Sequence, residues 1–275
     1  MNRHTRKGCT AIVTGAASGL GKGLADALVA RGLHVVYADI NGDAASAAVA
    51  ASKGPGGAQA ATLDVADADA FGGLIDGVIS ARGRLDLLVN NAGFAVGGEA
   101  RDTPLEDWRR IVEVNLMGVV HGSLHAFQRM ALQGGGQIVN IASMAGLVAV
   151  PLMAAYAMTK GGVVQLSHSL RCEGAGLGIR VSVVCPSFIT TSIFANARYR
   201  NTTRAATEAL LQQLPFVEVE TAVRATLAGV DADQATIVFP RYARLLWLAT
   251  RLVPWIPNPI TDRVMRRFRE RRGAG

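Results

Sequence analysis

The amino-acid sequence predicts an α/β fold in which a doubly wound parallel sheet of about seven strands is covered by helices on both faces. Short apolar segments alternate with longer, Ala-rich segments of helical character up to about residue 240, and this alternation is typical of such a sheet. Most of the short segments are continuous apolar runs, as expected for strands buried on both faces. Half of the 275 residues are apolar and 18% are charged, which excludes a disordered chain.

Each predicted strand is one of the short apolar segments, and each predicted helix is one of the longer stretches between them. The strands are Thr10–Thr14, His34–Ala38, Ala60–Leu63, Leu85–Val89, Gln137–Ala142, Arg180–Val184 and Thr236–Phe239. The helices are Gly21–Arg31, Asp67–Ala81, Leu105–Leu132 and Ala155–Glu173. Because no linker or internal repeat interrupts the alternation, we expect residues 1–240 to form one domain, followed by a C-terminal helical extension over residues 241–275.

The first predicted strand ends in a glycine-rich turn, Thr14-Gly-Ala-Ala-Ser-Gly-Leu-Gly21, that opens the first helix. Gly15 allows the tight turn, Gly19 lets the backbone approach a phosphate group, and Gly21 permits close packing of the helix. The free N–H groups at the start of a helix favour an anion. A tight turn alone would explain the glycines, but their place after the first strand favours a Rossmann-like site for the pyrophosphate of a dinucleotide.

An acidic residue, Asp39, ends the second predicted strand 18 residues beyond Gly21. A carboxylate in this place accepts hydrogen bonds from the adenosine ribose and repels a 2′-phosphate. Neither the glycine turn nor the next residues, Ile40 and Asn41, supply an Arg or Lys that would hold that phosphate. A solvated strand-end Asp is the simpler alternative, but beside the glycine turn the sequence predicts NAD rather than NADP.

A tyrosine and a lysine in the predicted helix Ala155–Glu173 are candidates for proton transfer. Tyr156 and Lys160 are four residues apart and therefore share one face of the helix. A phenol has a pKa of about 10, and a nearby ammonium lowers it. Ser143, just after the strand Gln137–Ala142, is placed to hydrogen-bond a substrate oxygen. Alone, a Tyr and a Lys at this spacing are common by chance and most often form a half-exposed helix face.

Together these segments resemble the short-chain dehydrogenase/reductase family over about residues 8–240. The matching motifs are the turn Thr14–Gly21, Asp64-Val65, Asn90-Asn-Ala-Gly93, Asn115, Ser143, Tyr156-Ala-Met-Thr-Lys160 and Pro186, in the family's order. Several independent matches at compatible spacings make the resemblance specific. One departure is Ser187, which stands after Pro186 where the family usually has Gly.

The resemblance implies a role for each matching residue. Tyr156 would be the general acid and base, and Ser143 would orient the substrate oxygen. Lys160 would lower the pKa of Tyr156 and bind the nicotinamide ribose, and Asn115 would hold a water in a proton relay. The implied cofactor contacts are Gly15, Ser18, Gly19, Leu20, Gly21, Asp39, Ile40, Asp64, Val65, Asn91, Ala92, Gly93, Tyr156, Lys160, Pro186, Ile189 and Thr191.

The segments expected to line the substrate cleft are mostly apolar, and a lid is expected at about residues 190–216. The apolar lining is Met144, Leu147, Val148, Val150, Leu152, Met153, Phe188, Ile193 and Phe194. This lining favours an uncharged, lipophilic secondary alcohol or ketone as substrate. The loop arginines Arg198, Arg200 and Arg204 leave open an acidic substrate group, such as a CoA or acyl-carrier phosphate.

The excess positive charge of the chain lies entirely in its C-terminal extension. The formal net charge is +7, and residues 241–275 hold nine Arg against Asp262 and Glu270, which leaves residues 1–240 neutral. Two helical pieces are predicted, Tyr242–Val253 and Ile260–Arg272. The second has an apolar stripe, Ile260, Val264 and Phe268, that would lie on an anionic membrane surface or pack on the body or on a neighbouring subunit. No nucleic-acid-binding motif accompanies the arginines.

The remaining features exclude several classes of protein and site. The three cysteines are far apart and odd in number, so neither a disulfide framework nor a metal site is predicted. The first residues lack the pattern of a signal peptide, so we expect a cytoplasmic protein, either free or peripheral at the membrane. We also expect a homo-oligomer, either a dimer or a tetramer. No apolar tract is long enough to span a bilayer.

The leading hypothesis is an NAD-dependent oxidoreductase that interconverts a lipophilic secondary alcohol and its ketone by hydride transfer. One alternative is an NADPH-dependent 3-oxoacyl reductase. The other is a catalytically idle NAD-binding scaffold that acts through its C-terminal extension.

Overall fold

The central feature of the computed structural model is a seven-stranded, wholly parallel sheet. The structure describes residues 3–190, 197–201, 216–253, 262, 265–266 and 268–270. The strands are β1 (Thr10–Thr14), β2 (His34–Asp39), β3 (Gly57–Thr62), β4 (Leu87–Asn90), β5 (Val96–Gly97), β6 (Gly136–Ile141), β7 (Ile179–Pro186), β8 (Arg198–Tyr199) and β9 (Thr236–Phe239). The order across the sheet is β3-β2-β1-β4-β6-β7-β9, and β5 pairs with β8 outside it.

Helices cover both faces of this sheet, so its central strands are buried from two sides, whereas the edge strand β3 is only partly buried. They are α1 (Gly19–Ala30), α2 (Gly42–Ala51), α3 (Ala68–Arg82), α4 (Leu105–Val112), α5 (Gly118–Leu132), α6 (Ala154–Glu173), α7 (Val219–Asp231) and α8 (Arg241–Leu252). One core packs α1 and α7 against the sheet through side chains such as Leu24, Leu28 and Leu227. The other packs α3 and α5 through Phe71, Ile75 and Met130. This two-sided burial explains why the strands are continuous apolar runs.

The predicted fold is confirmed, with differences at the ends of elements. β1 and β9 have the predicted bounds, whereas β7 continues past Val184 to Pro186. The predicted helix over residues 105–132 is interrupted by a π-helical turn, Glu113–Met117, between α4 and α5. Four elements were not predicted: α2, α7, β5 and β8. The two short strands, Val96–Gly97 and Arg198–Tyr199, pair over only two residues each, which is too short for a periodic pattern.

The C-terminal extension begins with α8, which agrees with the predicted helix Tyr242–Val253. Of the second predicted piece, residues 262, 265–266 and 268–270 are described and helical, whereas Ile260 and Val264 lie outside the described residues. Phe268 is buried, and Arg269 Nε donates to Glu99 Oε1 at 2.7 Å. The described end of the predicted stripe therefore packs against the body. Within the described part of the chain, none of the helices combines the length and the apolar character needed to cross a membrane.

Candidate active site

The predicted site residues gather at the carboxyl ends of the strands, along one edge of the sheet. The strand order reverses between β1 and β4, so the chain leaves these two neighbouring strands toward opposite faces. Open parallel sheets bind ligands in the crevice at such a reversal. The glycine turn follows β1, and Asn91 to Gly93 follow β4, so both border this crevice. Their position identifies the edge at which a dinucleotide would bind.

The glycine turn packs against the end of β4 so closely that side chains would not fit. Gly15 has a φ of +64°, and a Cβ there would lie 2.9 Å from Ala92 Cα and from Asn91 Nδ2. A Cβ on Gly21 would overlap the carbonyl oxygen of Gly15. Asn91 fixes this contact, since its Nδ2 donates to the carbonyl of Thr14 at 2.9 Å. The glycines thus provide a narrow cradle in which only backbone faces a ligand.

The first helix opens directly onto this cradle. Ser18 precedes α1 and its side chain makes no capping hydrogen bond, and the first turn has no acidic residue. Gly19 has a φ of +54°, and Leu20 is buried beneath the turn. The N–H groups of the first turn therefore remain available to an anion. The cradle and the uncapped helix start fit the pyrophosphate of a dinucleotide cofactor.

Asp39 ends β2 beside the glycine turn and is held there by two backbone hydrogen bonds. Its Oδ2 accepts from Ala17 N at 3.0 Å, and its Oδ1 accepts from Asn41 N at 3.0 Å. The carboxylate is half-buried, whereas the following Ile40 is 62% exposed. Each carboxylate oxygen keeps a lone pair after these bonds. The arrangement fixes a negative charge directly beside the glycine turn.

Asp64 and Val65 follow β3 on the far side of Asp39. Asp64 Oδ1 accepts from Ala66 N at 3.0 Å, and its Oδ2 lies 3.5 Å from Arg110 Nη2. Val65 is buried, and its carbonyl lies 3.1 Å from His121 Nδ1. These contacts hold the segment against the helices of the other face. Asp64 and Val65 line the same edge as Asp39, as the resemblance implies.

A buried network of amides and hydroxyls supports the ends of β4 and β6. Asn90 and Asn140 are ladder partners in these strands, and Asn90 Nδ2 donates to Asn140 Oδ1 at 2.9 Å. Asn90 Nδ2 also donates to Ser123 Oγ of α5 at 3.1 Å, and Asn140 Nδ2 donates to Ser167 Oγ of α6 at 3.0 Å. The network joins two strands to α5 and to α6, the helix that carries Tyr156 and Lys160.

Asn115 lies in the π-helical turn between α4 and α5 and is fully buried. Its Oδ1 accepts from Phe94 N at 3.0 Å, and its Nδ2 donates to Phe94 O at 2.9 Å. The side chain thus pairs with the backbone just after Gly93. A Cβ on Gly93 would lie 3.0 Å from Asn115 Oδ1 and 3.6 Å from Lys160 Nζ, so Asn115 and Lys160 meet beside the turn that follows β4. Turns of this kind are frequent at functional sites.

Ser143, Tyr156 and Lys160 are brought together between β6 and α6. Tyr156 is hydrogen-bonded to Ser143 through the two side chains. Lys160 Nζ lies 5.7 Å from the centre of the Tyr156 ring and donates to the carbonyl of Ile141 at 2.9 Å. A Cβ on Gly146 would lie 2.6 Å from the Lys160 backbone. The glycine therefore lets the turn after Ser143 pack directly on α6.

Burial dominates the pKa values of this pair. It raises the pKa of Tyr156 to about 12, while the hydrogen bond with Ser143 acts in the opposite direction. It lowers the pKa of Lys160 to about 8. Burial has the largest effect on the Tyr156 pKa because it removes the phenolate from water, and the lowering by Lys160 that the resemblance implies stays a prediction. Such opposed shifts in one cleft are typical of functional sites.

The segment after β7 borders the same cleft and is tied to the C-terminal extension. Pro186 and Ile189 are buried, and Ile189 forms a parallel bridge with Val217. Ser187, which stands where the family usually has Gly, lies 2.8 Å from the hydroxyl of Tyr242 in α8, measured from Oγ to Oη. Thr191 lies outside the described residues.

The predicted apolar lining forms a wall next to Tyr156. Tyr156 shares a cluster with Val150 and Met153 of that lining. The cluster also contains Val96, Phe94 and Trp108, which the sequence did not single out. Leu152 has a φ of +64°, and its carbonyl accepts from Gly98 N at 2.8 Å. The other described members of the lining are Met144, Leu147, Val148 and Phe188, of which Met144 is buried and the rest are half-buried. Ile193, Phe194 and most of the expected lid lie outside the described residues.

Two of the arginines considered as partners of an acidic substrate group, Arg198 and Arg200, pair with the protein itself. Arg198 Nη1 donates to Asp107 Oδ1 at 2.9 Å, and Arg200 Nε donates to Asp107 Oδ2 at 2.5 Å. Asp107 is fully buried, so its carboxylate requires these cations. Arg204 lies outside the described residues. The pairing fixes β8 beside α4.

Several residues that shape the site were not predicted from the sequence. They are Asn140, Ser167, Ile141, Gly146 and Asp107. A polar residue within an apolar strand, as in Gln137-Ile-Val-Asn140, is the one local signal among them. The others become recognisable only when strands and helices distant in the sequence meet. Among the described residues, no three His, Cys, Asp or Glu side chains gather as they would around a metal ion.

A dinucleotide cradle beside a buried, hydrogen-bonded tyrosine defines a class of protein, the nicotinamide-dependent oxidoreductases. The chain belongs to the short chain dehydrogenase family, whose model matches residues 9–202, and members of this family bind NAD(P) and act on alcohol groups. The resemblance found in the sequence is thereby confirmed.

The similar proteins are named for different substrates. D-threitol dehydrogenase of Mycolicibacterium smegmatis is 38% identical over 187 residues, which cover 68% of this chain and 72% of that enzyme. 3beta-hydroxysteroid dehydrogenase 1 of Eggerthella lenta is 35% identical over 235 residues, covering 84% and 90%. The crystal structure of a short chain dehydrogenase/reductase from Burkholderia phymatum in complex with NAD has a TM-score of 0.82 and 26% identity, covering 94% of this chain and 98% of the other.

Proposed function

We propose that this oxidoreductase interconverts a lipophilic secondary alcohol and its ketone with NAD as coenzyme. The observation that carries the proposal is the contact of Ser143 with Tyr156 beside Lys160, in an apolar cleft next to the glycine cradle. Residues 1–240 would form the catalytic domain, with the lid at about residues 190–216. The intact trio also argues against an idle scaffold.

The residues of the chain would handle the proton. Ser143 would hold the substrate oxygen, and the Tyr156 oxygen, already hydrogen-bonded to Ser143, would take the hydroxyl proton in oxidation and return it in reduction. Bound NAD supplies the acceptor for the hydride that leaves the alcohol carbon. The high pKa of Tyr156 keeps the phenol protonated at neutral pH, which is the form that reduction requires. In oxidation the phenol would first release its own proton to the relay through Lys160, and its oxygen would then take the proton of the alcohol.

Lys160 and Asn115 would move protons to and from Tyr156 rather than contact the substrate. Lys160 is anchored by the Ile141 carbonyl, and its pKa of about 8 lets it exchange a proton near neutral pH. Since both polar ends of the Asn115 side chain bind Phe94, a water of the proton relay would use the Asn115 backbone.

The choice of NAD over NADP rests on Asp39. A 2′-phosphate on the adenosine ribose would meet a carboxylate held in place by the Ala17 and Asn41 amides, at a cost that favours NAD. Steady-state titration with both coenzymes tests this. We expect a lower KM for NAD by at least about tenfold, and an Asp39→Ser variant that narrows the difference. A wild-type preference for NADP would overturn the proposal and favour the 3-oxoacyl reductase.

The apolar lining beside Tyr156 favours a lipophilic substrate. Steroid, terpene and aliphatic secondary alcohols, with polyols such as threitol for comparison, should be screened with NAD by following the absorbance of NADH. We expect the apolar alcohols to have the higher kcat/KM, because they gain from burial in the cleft. A clear preference for polyols would show that the cleft selects polar substrates.

A further inference from the structure

The helix α8 of the C-terminal extension exposes an unusual amount of apolar surface. Five of the twelve large apolar side chains that are exposed in the described part of the chain lie in this one helix. Leu245, Leu248 and Leu252 are 68%, 41% and 73% exposed, and their i, i+3, i+7 spacing places them on one face. The opposite face holds the buried Ala243. The helix is therefore anchored on one side and apolar on the other.

The same helix is strongly basic. Arg241, Arg244 and Arg251 are exposed, and α8 contains no acidic residue. Arg241 and Arg244 are each four residues before a leucine of the exposed face, and Arg251 lies over the ring of the half-buried Trp247, 5.6 Å from its centre. Leucines bordered by arginines, with a tryptophan at the boundary, are typical of helices that lie in the interface of a membrane.

The exposed apolar face of α8 is distinct from the apolar stripe expected on the second helical piece of the extension. The described end of that stripe, Phe268, is buried, and the neighbouring Arg269 is paired with Glu99. At the start of α8, Tyr242 contacts Ser187 beside the cleft, so a surface covering α8 would also lie near the active site.

We propose that α8 docks the enzyme on an anionic lipid bilayer, with Leu245, Leu248 and Leu252 in the acyl region and the arginines at the headgroups. Charge complementarity favours this occupant over a second copy of the chain, because an isologous contact through α8 would bring the same arginines of two copies together. Anionic headgroups neutralise them. Docking in this way would bring a lipophilic substrate to the cleft. This consequence rests on the proposed function, whereas the docking itself does not.

Vesicle sedimentation with the full-length protein tests the proposal without coenzyme or alcohol. We expect binding to vesicles of equal parts phosphatidylglycerol and phosphatidylcholine, and at least tenfold weaker binding to pure phosphatidylcholine. Leu245→Glu and Leu252→Glu should each weaken binding at least about tenfold, because each removes apolar burial and adds a negative charge. Leu132→Glu is the matched control, since Leu132 is 80% exposed at the end of α5, and it should bind like the wild type.

The arginines are tested separately. An Arg241→Gln/Arg244→Gln variant should bind about 25-fold more weakly, at roughly fivefold for each charge, and 0.5 M salt should reduce wild-type binding to about that of the variant. Failure of the wild type to sediment with anionic vesicles would overturn the proposal. So would a change in oligomeric state on Leu245→Glu, measured by analytical ultracentrifugation, because it would show that α8 packs on a second copy. Neither result depends on which alcohol the enzyme uses.

Discussion

Replacing Asn140 by Ala should destabilise the protein and slow catalysis, although Asn140 touches neither the glycine cradle nor Tyr156. Asn140 is fully buried in β6 and connects Asn90 of β4 with Ser167 of α6 at 2.9 and 3.0 Å. One residue later, the carbonyl of Ile141 holds Lys160. The substitution therefore loosens the strand end that positions the lysine.

The magnitude follows from the bonds lost. Asn140→Ala removes three hydrogen bonds, from Asn90, from Ser123 and to Ser167, the one from Ser123 being long at 3.4 Å. At about 1 kcal/mol for each bond, and with buried polar groups left with fewer partners, we expect a loss of ~2–4 kcal/mol. Asn90→Ala removes two bonds, one to Asn140 and one to Ser123, and should cost a similar amount. Because one bond is shared, the double variant should lose about 1–2 kcal/mol less than the sum of the singles.

Urea unfolding of the four proteins measures these losses, and kcat of each variant reports the effect on Lys160. Ser46→Ala is the control, since Ser46 is exposed and its hydroxyl donates to Gly42 O at 2.9 Å within α2; it should change stability by less than about 0.5 kcal/mol. Additive losses within about 0.3 kcal/mol, or a loss below about 1 kcal/mol for Asn140→Ala, would refute the network as described.

Three further predictions concern the cradle, the extension and the N-terminus. Gly21→Ala should abolish NADH binding measured by fluorescence, because its Cβ overlaps backbone, whereas Gly77→Ala in α3, with nothing within 4 Å, should bind normally; equal binding by both would contradict the cradle. Tyr242→Phe and Ser187→Ala remove the same hydrogen bond beside the cleft. Each should raise the NADH dissociation rate measured by stopped-flow about threefold, and the double variant should show no added effect. Burial lowers the pKa of His4 to about 4, so the unfolded chain binds a proton at a higher pH than the folded protein does. The free energy of unfolding should therefore fall by at most ~2 kcal/mol between pH 7.5 and 5. A His4→Gln variant with the same acid sensitivity would rule this out.

The fold and half of the site could be predicted because their signals are local. The turn from Gly15 to Gly21 and the strand-end Asp39 lie within about 25 residues of each other, in one β-α-β unit whose spacing is set by the chain itself. Likewise the helical spacing of Tyr156 and Lys160 fixes their shared face. The structure adds that both are buried.

The rest depends on contacts between distant segments. The pairing of Asn90 with Asn140 follows from the register of β4 and β6, fifty residues apart, and the pairing of Asp107 with Arg198 spans ninety-one. The pKa of Tyr156 depends on how much water the fold excludes, and its spacing from Lys160 does not determine that. Charge composition located the basic extension, but only packing showed that its exposed apolar face is on α8.

The most direct measurement of the central claim compares turnover and coenzyme binding in a Tyr156→Phe variant, with the best alcohol from the substrate screen. Phenylalanine keeps the buried ring but removes the hydroxyl that contacts Ser143. We predict that kcat falls at least about a hundredfold, as for the loss of a general acid or base, while the Kd for NADH stays within about twofold of the wild type. A variant that keeps more than about a tenth of the wild-type kcat would contradict the assignment of Tyr156 as the proton acceptor.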